Sequence, residues 1–285
     1  MLLEVAGVLV GERAVGKCGE VEKMKAFVSC LSTDNYLNGI LVLYQSLMDT
    51  NTKYPFYCLV SDQVSEETRN SLEKVGVHVI VREAVSVSEI TNRPMEGWDY
   101  TYFKFRLFEL TEFEKLVYLD ADMIVMRNID ALFDEKAIAI CQDGYQFTGI
   151  KGKENCGCNS GLMVIEPDAE LFHKLVAELP AAMERGLSGD QEVLNLFLDG
   201  NTWLPAYYNM TPNMIDKACY REKYFDFRYK DIRVVHFIWK MKPFFTTKLD
   251  AKRVFSMLSR LHFYEVKVNR YYYKEMKKIM RRLEA

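Results

Sequence analysis

Strand-like and helix-like segments alternate along the chain from Met24 onward, and this alternation constrains the fold more than any other sequence feature. Short apolar runs such as KAFVSCL and PFYCLVS predict buried strands, whereas NYLNGILVLYQSLMDT repeats apolar residues at helical spacing. Regular alternation is typical of a mostly parallel sheet with helices on both faces. Because ligands of such sheets bind beyond the carboxyl ends of the strands, we expect a site at that edge.

Later segments continue the same pattern. SEETRNSLEKVG predicts a helix that begins near Ser65 and ends at Gly76. The later predicted strands are VHVIVRE, LVYLD, IAICQDG, SGLMVIEP and RVVHFIW. Helices are predicted at YFKFRLFEL, near 169–185 and over SGDQEVLNLFL from Ser188, with a short helical turn at 128–133.

The fourth predicted strand carries two carboxylates near the middle of the apolar run LVYLDADMIV, residues 116–125. Alternate residues of an extended chain face the same side with Cβ atoms about 6.5–7 Å apart, so Asp120 and Asp122 repel each other. A buried carboxylate is costly unless a cation compensates its charge. This stretch alone allows two interpretations, a cation site or a strand that ends at Leu119 before a solvated turn.

Composition and absent motifs exclude several classes of protein. The 285 residues, 49% hydrophobic and 27% charged, suit one large α/β domain or two small ones. No apolar run is long enough to predict a membrane span, and no G-x-G-x-x-G or G-x-x-x-x-G-K-[ST] supports a Rossmann dehydrogenase or P-loop enzyme. Seven irregularly spaced cysteines indicate reduced thiols in a cytoplasmic-type compartment, and Cys156-Gly-Cys158 alone does not predict zinc.

The two ends differ from the predicted body at 24–250. Residues 1–23 contain a short apolar run without a basic start, so they make a poor signal peptide. We expect them to form a peripheral extension of the folded body. Residues 251–285 carry ten Lys or Arg against three Glu, which disfavours nucleic acid as a partner because the basic residues lie outside the body. Apolar residues at helical spacing leave two interpretations: a helix packed on the domain, or one lying on the anionic inner membrane face.

Four blocks of the chain resemble glycosyltransferase family 8, the family of glycogenin, galactinol synthases and bacterial lipooligosaccharide galactosyltransferases. In family order they are AFVSCLSTDNYLNGILVLYQSL, KFRLFELTEFEKLVYLDADMIV, CNSGLMVIEP with SGDQEVLN, and VVHFIWKMKPF. The resemblance implies a GT-A fold, a single Rossmann-like nucleotide-sugar-binding domain with a mixed, mostly parallel sheet. It also implies a divalent metal, Mn²⁺ or alternatively Mg²⁺, and transfer of a hexose from a UDP-sugar with retention.

By this resemblance Asp120, Asp122 and His236 bind the metal, which also binds the donor diphosphate. Oxygen ligands with one imidazole suit octahedral Mn²⁺ better than tetrahedral zinc. Lys242 is implied to reach the leaving phosphate, where positive charge stabilises the transition state, and Lys104 to bind the donor. Taken alone, His236 is more typical of a core histidine and the two lysines of a protein surface.

The end of the first strand is implied to hold the nucleoside. Cys30, Ser32 and Thr33 would line the uridine site, Tyr36 would stack on uracil, and Ala121 would lie beside the nucleotide. Small residues at a strand end and an aromatic ring at a helix start are also ordinary packing features.

The sugar is implied to lie near two further motifs. Asn159 and Ser160 would hydrogen-bond its hydroxyl groups, with Gly161 allowing close approach of the backbone. Asp190 and Gln191 would contact the sugar near the reacting carbon. Together with Lys242, which is implied to contact the leaving phosphate, they are the predicted catalytic residues. An acidic residue such as Asp190 also suits a helix start. Retention allows a covalent glycosyl-enzyme or front-side attack, and the sequence does not decide between them.

The chain departs from the family pattern at two positions. Trp239 stands where many relatives carry glycine, and Cys158 replaces the usual phenylalanine before N-S-G. These changes leave the identity of the donor sugar undecided, with UDP-glucose or UDP-galactose expected. Asp216 aligns near the acceptor tyrosine of glycogenin, so a separate saccharide, lipid-linked or protein acceptor is preferred. The alternatives are a self-glycosylating primer that uses Tyr220 or 271–273, and a non-catalytic sugar-binding module. The resemblance also allows a homodimer.

Overall fold

The computed structural model describes residues 23–85, 101–142, 157–187, 189–197, 202–212, 229–238, 242–244 and 248–285. Its strands, in chain order, are β1 (Met24–Leu31), β2 (Phe56–Ser61), β3 (His78–Arg82), β4 (Phe113–Leu119), β5 (Met123–Val125), β6 (Ala139–Gln142), β7 (Cys158–Ile165), β8 (Thr202–Leu204) and β9 (Val234–His236). Seven of them form one sheet in the order β3-β2-β1-β4-β7-β6-β8, and β5 pairs with β9 in a small second sheet.

The large sheet is mixed and mostly parallel, as predicted. β3, β2, β1 and β4 run parallel, β7 runs antiparallel to both of its neighbours, and β8 is parallel to β6. Val28 on β1 pairs with Tyr57 on one side and Tyr118 on the other, which aligns three strands in register. The carboxyl ends of these strands therefore meet at one edge of the sheet.

Six α-helices are described: α1 (Leu37–Met48), α2 (Glu66–Lys74), α3 (Ala169–Glu184), α4 (Asp190–Leu194), α5 (Ala251–Leu258) and α6 (Phe263–Glu284). They cover both faces of the sheet, because successive residues of β1 enter opposite cores: Phe27 packs with α1 and α2, and Val28 packs with α3. Ser65 caps α2 by accepting the Thr68 N–H, as its sequence position predicts.

The segment Thr101–Glu109, predicted as a helix, forms a 3₁₀ helix. Tyr102, Phe105 and Phe108 lie three residues apart, and all three are buried. A three-residue repeat places these rings on one side of a 3₁₀ helix, where the first two meet edge to face with centroids 5.5 Å apart. The predicted turn at 128–133 corresponds to the 3₁₀ helix Asp130–Asp134.

The C-terminal helix α6 packs along α1. Val268, Tyr272 and Met276 enter one apolar cluster with Val42 of α1 and Ile124 of β5. Lys278 pairs with Asp49 beyond the end of α1, and Arg282 donates hydrogen bonds to Gln45 and to the Val75 carbonyl. None of the described helices combines the length and the apolar character needed to cross a membrane. Of the predicted leader at 1–23, residues 1–22 lie outside the described residues.

Candidate active site

The D-A-D turn follows β4 directly and is fixed by two backbone hydrogen bonds. Asp120 donates its N–H to the Gly161 carbonyl of β7, with N and O 2.8 Å apart. The carbonyl of Asp122 accepts from the N–H of Phe237, just after β9, also at 2.8 Å. The turn therefore joins the large sheet to the small one, and it brings β9 to the carboxyl end of β4.

Asp120, Asp122 and His236 converge, as predicted. His236 Nε2 lies 3.1 Å from Asp122 Oδ1 and 3.7 Å from Asp120 Oδ2. One ligand atom from each of the three side chains lies within 4.8 Å of the other two. Asp122 and His236 are buried. Two carboxylate oxygens and one imidazole nitrogen form a donor set that fits a hard divalent cation such as Mn²⁺.

Two lysines occupy the remaining carboxylate oxygens. Lys104 Nζ lies 3.1 Å from Asp120 Oδ1, and Lys242 Nζ lies 2.9 Å from Asp122 Oδ2. Each aspartate thus gives one oxygen to a lysine and turns the other toward His236. The lysines hold the two like charges together without blocking the oxygens that face the imidazole.

Opposite charges in this cluster stabilise the ionised forms of Asp122 and His236, which burial alone would disfavour. Burial alone raises the pKa of Asp122, but His236 and Lys242 together hold it well below its usual range. Burial alone lowers the pKa of His236, but Asp122 and Asp120 raise it above its usual value of 6.5. A metal ion that binds here would compete with a proton for Nε2 of His236.

A second network of polar contacts joins Asp120 to α4. Lys104 Nζ also contacts Asp190 Oδ2 at 2.8 Å, and the Ser160 hydroxyl donates to the same oxygen at 2.7 Å. Gln191 Oε1 accepts the backbone N–H of Ser160 at 3.2 Å. Four residues predicted to bind the donor therefore lie together, and Lys104 connects them with Asp120.

Asn159, predicted to bind the sugar, is part of a hydrogen-bond chain that orients His236. Its Oδ1 accepts the Gly161 N–H at 3.1 Å, and a backbone N–H can only donate. Asn209 must therefore donate its Nδ2 to that oxygen, at 2.7 Å, which leaves Asn209 Oδ1 to accept from His236 Nδ1 at 2.9 Å. The proton on Nδ1 is thus fixed, and in the neutral ring Nε2 presents its lone pair to the two aspartates.

Gly161 makes room for the imidazole. A Cβ at this position would lie 2.5 Å from His236 Cε1, closer than any real contact. The expectation that this glycine lets the backbone approach a sugar stays a prediction, and its contact with His236 is direct. Gly39 does the same for the D-A-D turn, since its Cβ would lie 2.4 Å from the Ala121 carbonyl oxygen.

Of the residues predicted for uridine, Tyr36 contacts a lysine of the charged cluster. Lys242 donates to its hydroxyl at 3.1 Å and sits 4.9 Å from the centre of its ring. Ser32 and Thr33 follow β1 half-buried, and the Ser32 carbonyl accepts from the Ser61 hydroxyl. Burial, with Cys58 next in effect, raises the pKa of the Cys30 thiol well above its usual value, so it stays protonated.

Comparison with known proteins identifies the family. A family model described as glycosyl transferase family 8 matches residues 27–247. The chain belongs to this family. Its relatives include glycogenin-1 of Mus musculus, 32% identical over 232 residues that cover 77% of this chain and 65% of that protein. Inositol phosphorylceramide glucuronosyltransferase 1 of Arabidopsis thaliana is 34% identical over 191 residues, 66% of this chain and 33% of that protein.

The chain therefore spans less than two thirds of the length of these two family 8 relatives. Among solved structures, the galactosyltransferase LgtC in complex with donor and acceptor sugar analogs is similar with a TM-score of 0.63 and 19% identity. That likeness covers 84% of this chain and 95% of LgtC. The expected GT-A fold is confirmed.

Two residues of the candidate site were missed by sequence reasoning. Tyr118 donates its buried hydroxyl to Asp120 Oδ1, and its position two residues earlier on β4 was an available signal. Asn209 lies 27 residues before His236, and no local pattern connects the two. Ser188, Asp216, Tyr220 and Trp239 lie outside the described residues.

Proposed function

We propose that this family 8 protein is a metal-dependent retaining transferase that moves a hexose from a UDP-sugar to a separate acceptor. The observation that carries the proposal is the convergence of Asp120, Asp122 and His236. These side chains would hold Mn²⁺, with Mg²⁺ as the alternative, which supplies positive charge to the donor diphosphate when bound. UDP-glucose and UDP-galactose are the expected donors.

Lys242 is proposed to stabilise the departing UDP. Its ammonium group lies at the cluster, and the charge of Asp122 with the Tyr36 hydroxyl raises the pKa of Lys242 above its usual value although burial opposes this. It therefore stays cationic at neutral pH. A fixed cation stabilises the leaving phosphate most when the sugar–oxygen bond breaks, because negative charge on that oxygen is then greatest.

The sugar is proposed to lie between the aspartate turn and α4, against Asn159, Ser160, Asp190 and Gln191. The pairing of Asp190 with Lys104 at 2.8 Å and with Ser160 at 2.7 Å lowers its nucleophilicity. This supports front-side attack by the acceptor over a covalent glycosyl-enzyme. The uridine is proposed to lie at the end of β1, against the group Cys30, Ser32, Thr33, Tyr36 and Ala121.

Release of UDP from a panel of UDP-sugars, with Mn²⁺ and with a chelator, tests the proposal. UDP-glucuronate belongs in the panel because one relative is a glucuronosyltransferase. We expect metal-dependent release with at least one donor, and loss of more than about 100-fold in Asp122→Asn, since the metal contributes several kcal/mol of charge stabilisation. Lys174→Gln, on the surface of α3, serves as the control variant. Release that is unchanged by chelator or by Asp122→Asn would refute the proposal, and no release with any donor would favour a sugar-binding module.

A self-glycosylating primer is the second candidate, because glycogenin-1 is among the relatives. In this chain Tyr272 and Tyr273 are buried against α1 and the 242–244 segment, which removes two of the predicted acceptor hydroxyls from solvent. Intact mass after incubation with donor and Mn²⁺ distinguishes the two. An increase by whole hexose units without added acceptor would establish the primer, whereas an unchanged mass supports a separate saccharide or lipid-linked acceptor.

A further inference from the structure

Four large apolar side chains are exposed where α5 turns into α6. Phe255 is 74% exposed, Leu258 40%, Leu261 66% and Phe263 61%. The described part of the chain has ten large hydrophobic residues with this degree of exposure, and four of them fall within these nine positions. Single exposed apolar residues are ordinary, but a cluster of four marks an interaction surface.

A basic stripe continues from this corner along the outer face of α6. Lys267, Arg270, Lys274, Lys277 and Arg281 follow Phe263 at spacings of three and four residues and are all exposed. In the parts of the chain that the structure describes, none of these five forms an ion pair with a carboxylate. Two of the acidic residues of α6 are turned inward or engaged, since Glu265 pairs with His262 and Glu275 pairs with Lys278. The stripe is therefore uniformly cationic.

Leu261 occupies a position that packing among the described residues does not explain. It lies just past the end of α5 with φ at 58°, where its N–H bonds the Leu258 carbonyl and the next N–H bonds the Met257 carbonyl. Glycine is the usual residue at this helix end because its φ is positive. A leucine here adopts an unfavourable backbone conformation and still exposes most of its side chain, so a contact outside the described chain would account for it.

We infer that the outer face of α6, together with the corner at Phe255–Phe263, docks on an anionic lipid bilayer. The five cations match the negative charge of headgroups, and the apolar corner matches the boundary between headgroups and acyl chains. Net charge of one sign beside exposed aromatic and aliphatic side chains is the combination that such a surface attracts. An acidic protein or nucleic acid would match the stripe but would leave the apolar corner in water.

This orientation brings the candidate active site close to the lipid surface. Tyr273, on the inner face of the same helix, donates its hydroxyl to the Pro243 carbonyl at 3.0 Å, next to Lys242. The diameter of a helix, about 10 Å, therefore separates the docked face from the segment that carries this lysine. Docking itself does not depend on the proposed transfer reaction, because it uses no residue of that site.

Flotation of the full chain with vesicles tests the inference. We expect it to float with phosphatidylglycerol-containing vesicles at low salt, to stay behind with pure phosphatidylcholine, and to be released by about 0.5 M salt. The double variant Lys267→Gln/Lys274→Gln should bind anionic vesicles roughly 25-fold more weakly, about fivefold for each charge. Lys136→Gln/Lys174→Gln removes two exposed lysines elsewhere and should bind as the parent does.

Leu261→Gly separates docking from folding. Glycine accepts the positive φ of this position, so the variant should be as thermally stable as the parent or more so, while its vesicle binding weakens. Absence of flotation with anionic vesicles would overturn the inference. So would equal binding by the stripe variant and its control, unchanged binding in Leu261→Gly, or retention on heparin or nucleic acid without any flotation.

Discussion

At the scale of single residues, the site depends on where one proton sits. The N–H of Gly161 fixes the amide of Asn159, which fixes Asn209, which in turn fixes Nδ1 of His236 as a donor. A metal ligand held in this way keeps its orientation before the metal arrives. If the proposed metal binding holds, Asn209 is a positioning residue that contributes to metal affinity.

Replacing Asn209 tests this series of hydrogen bonds. Asn209→Leu removes the acceptor for His236 Nδ1, so we expect Mn²⁺ to bind about 10- to 100-fold more weakly in a titration followed by electron paramagnetic resonance. Asn209→Asp keeps an acceptor for the imidazole but loses the donor to Asn159, and should bind more tightly than the leucine variant. Equal affinities in parent and Asn209→Leu would contradict the assignment.

Gly161 supplies an independent test of the same imidazole. Gly161→Ala places a Cβ within 2.5 Å of His236 Cε1 and 2.8 Å of Met123 Cε, so the ring must move. We expect Mn²⁺ affinity to fall by about 10-fold or more, with a modest loss of stability. Gly189→Ala is the matched control, because a Cβ there meets nothing within 4 Å. The idea fails if both variants bind the metal alike.

Most residues of the candidate site could be named from the sequence because they occur in compact motifs. D-A-D, N-S-G and D-Q each place two neighbouring side chains at a strand end or helix start, and the family resemblance supplied their roles. Asn209 could not be found this way, because its partners Asn159 and His236 are distant in sequence and only the fold joins them. The direct contact between Lys104 and Asp190 was likewise a property of the tertiary structure.

At the scale of elements, α6 has an apolar inner face and a basic outer face. Tyr272 is fully buried against Phe237 and α1, whereas Lys274, two residues later, is exposed. The sequence left packing and membrane contact as alternatives for this segment, since amphipathic spacing is compatible with both. The structure assigns the inner face to packing, and the outer face is available for the proposed docking.

Substitutions on the two faces of α6 should differ sharply in their effect on the free energy of unfolding. Tyr272→Ala removes a buried ring and should lower the free energy of unfolding by about 3–5 kcal/mol. Lys274→Ala alters an exposed residue and should change it by less than about 0.5 kcal/mol. Urea denaturation of the two variants measures both values. Similar losses in both would show that the helix is not packed as described.

The ends of helices could be predicted where capping residues mark them. The type of helix could not be predicted where tertiary packing determines it. The start of α2 was marked by Ser65, and the strands by their apolar runs. The helix predicted at YFKFRLFEL is a 3₁₀ helix, because aromatic side chains three residues apart are buried together. Local sequence does not reveal that choice, since the same residues are compatible with an α-helix.

At the scale of the molecule, the charge cluster links stability to pH. The raised pKa of His236 means that its pairing with Asp122 contributes stability below pH 6.5 and loses it as pH rises through the folded value. The lowered pKa of Asp122 means that its contribution is present above its ordinary value of 3.8 and is lost only in stronger acid.

We therefore expect metal-free protein to become less stable as pH rises above 6.5, measured by urea denaturation in chelator. His236→Gln should show a weaker dependence over the same range, because it lacks the titrating ring. Mn²⁺ affinity should rise with pH, since the ion competes with a proton for Nε2. A stability profile of His236→Gln parallel to that of the parent would exclude this origin.

The pairing of β5 with β9 completes the candidate metal site. His236 follows Asp120 by 116 positions and reaches it only when β9 pairs antiparallel with β5. A nascent chain that is still missing this strand offers manganese two carboxylates and no imidazole. Tight retention of the ion would thus distinguish finished molecules from truncated or half-assembled ones.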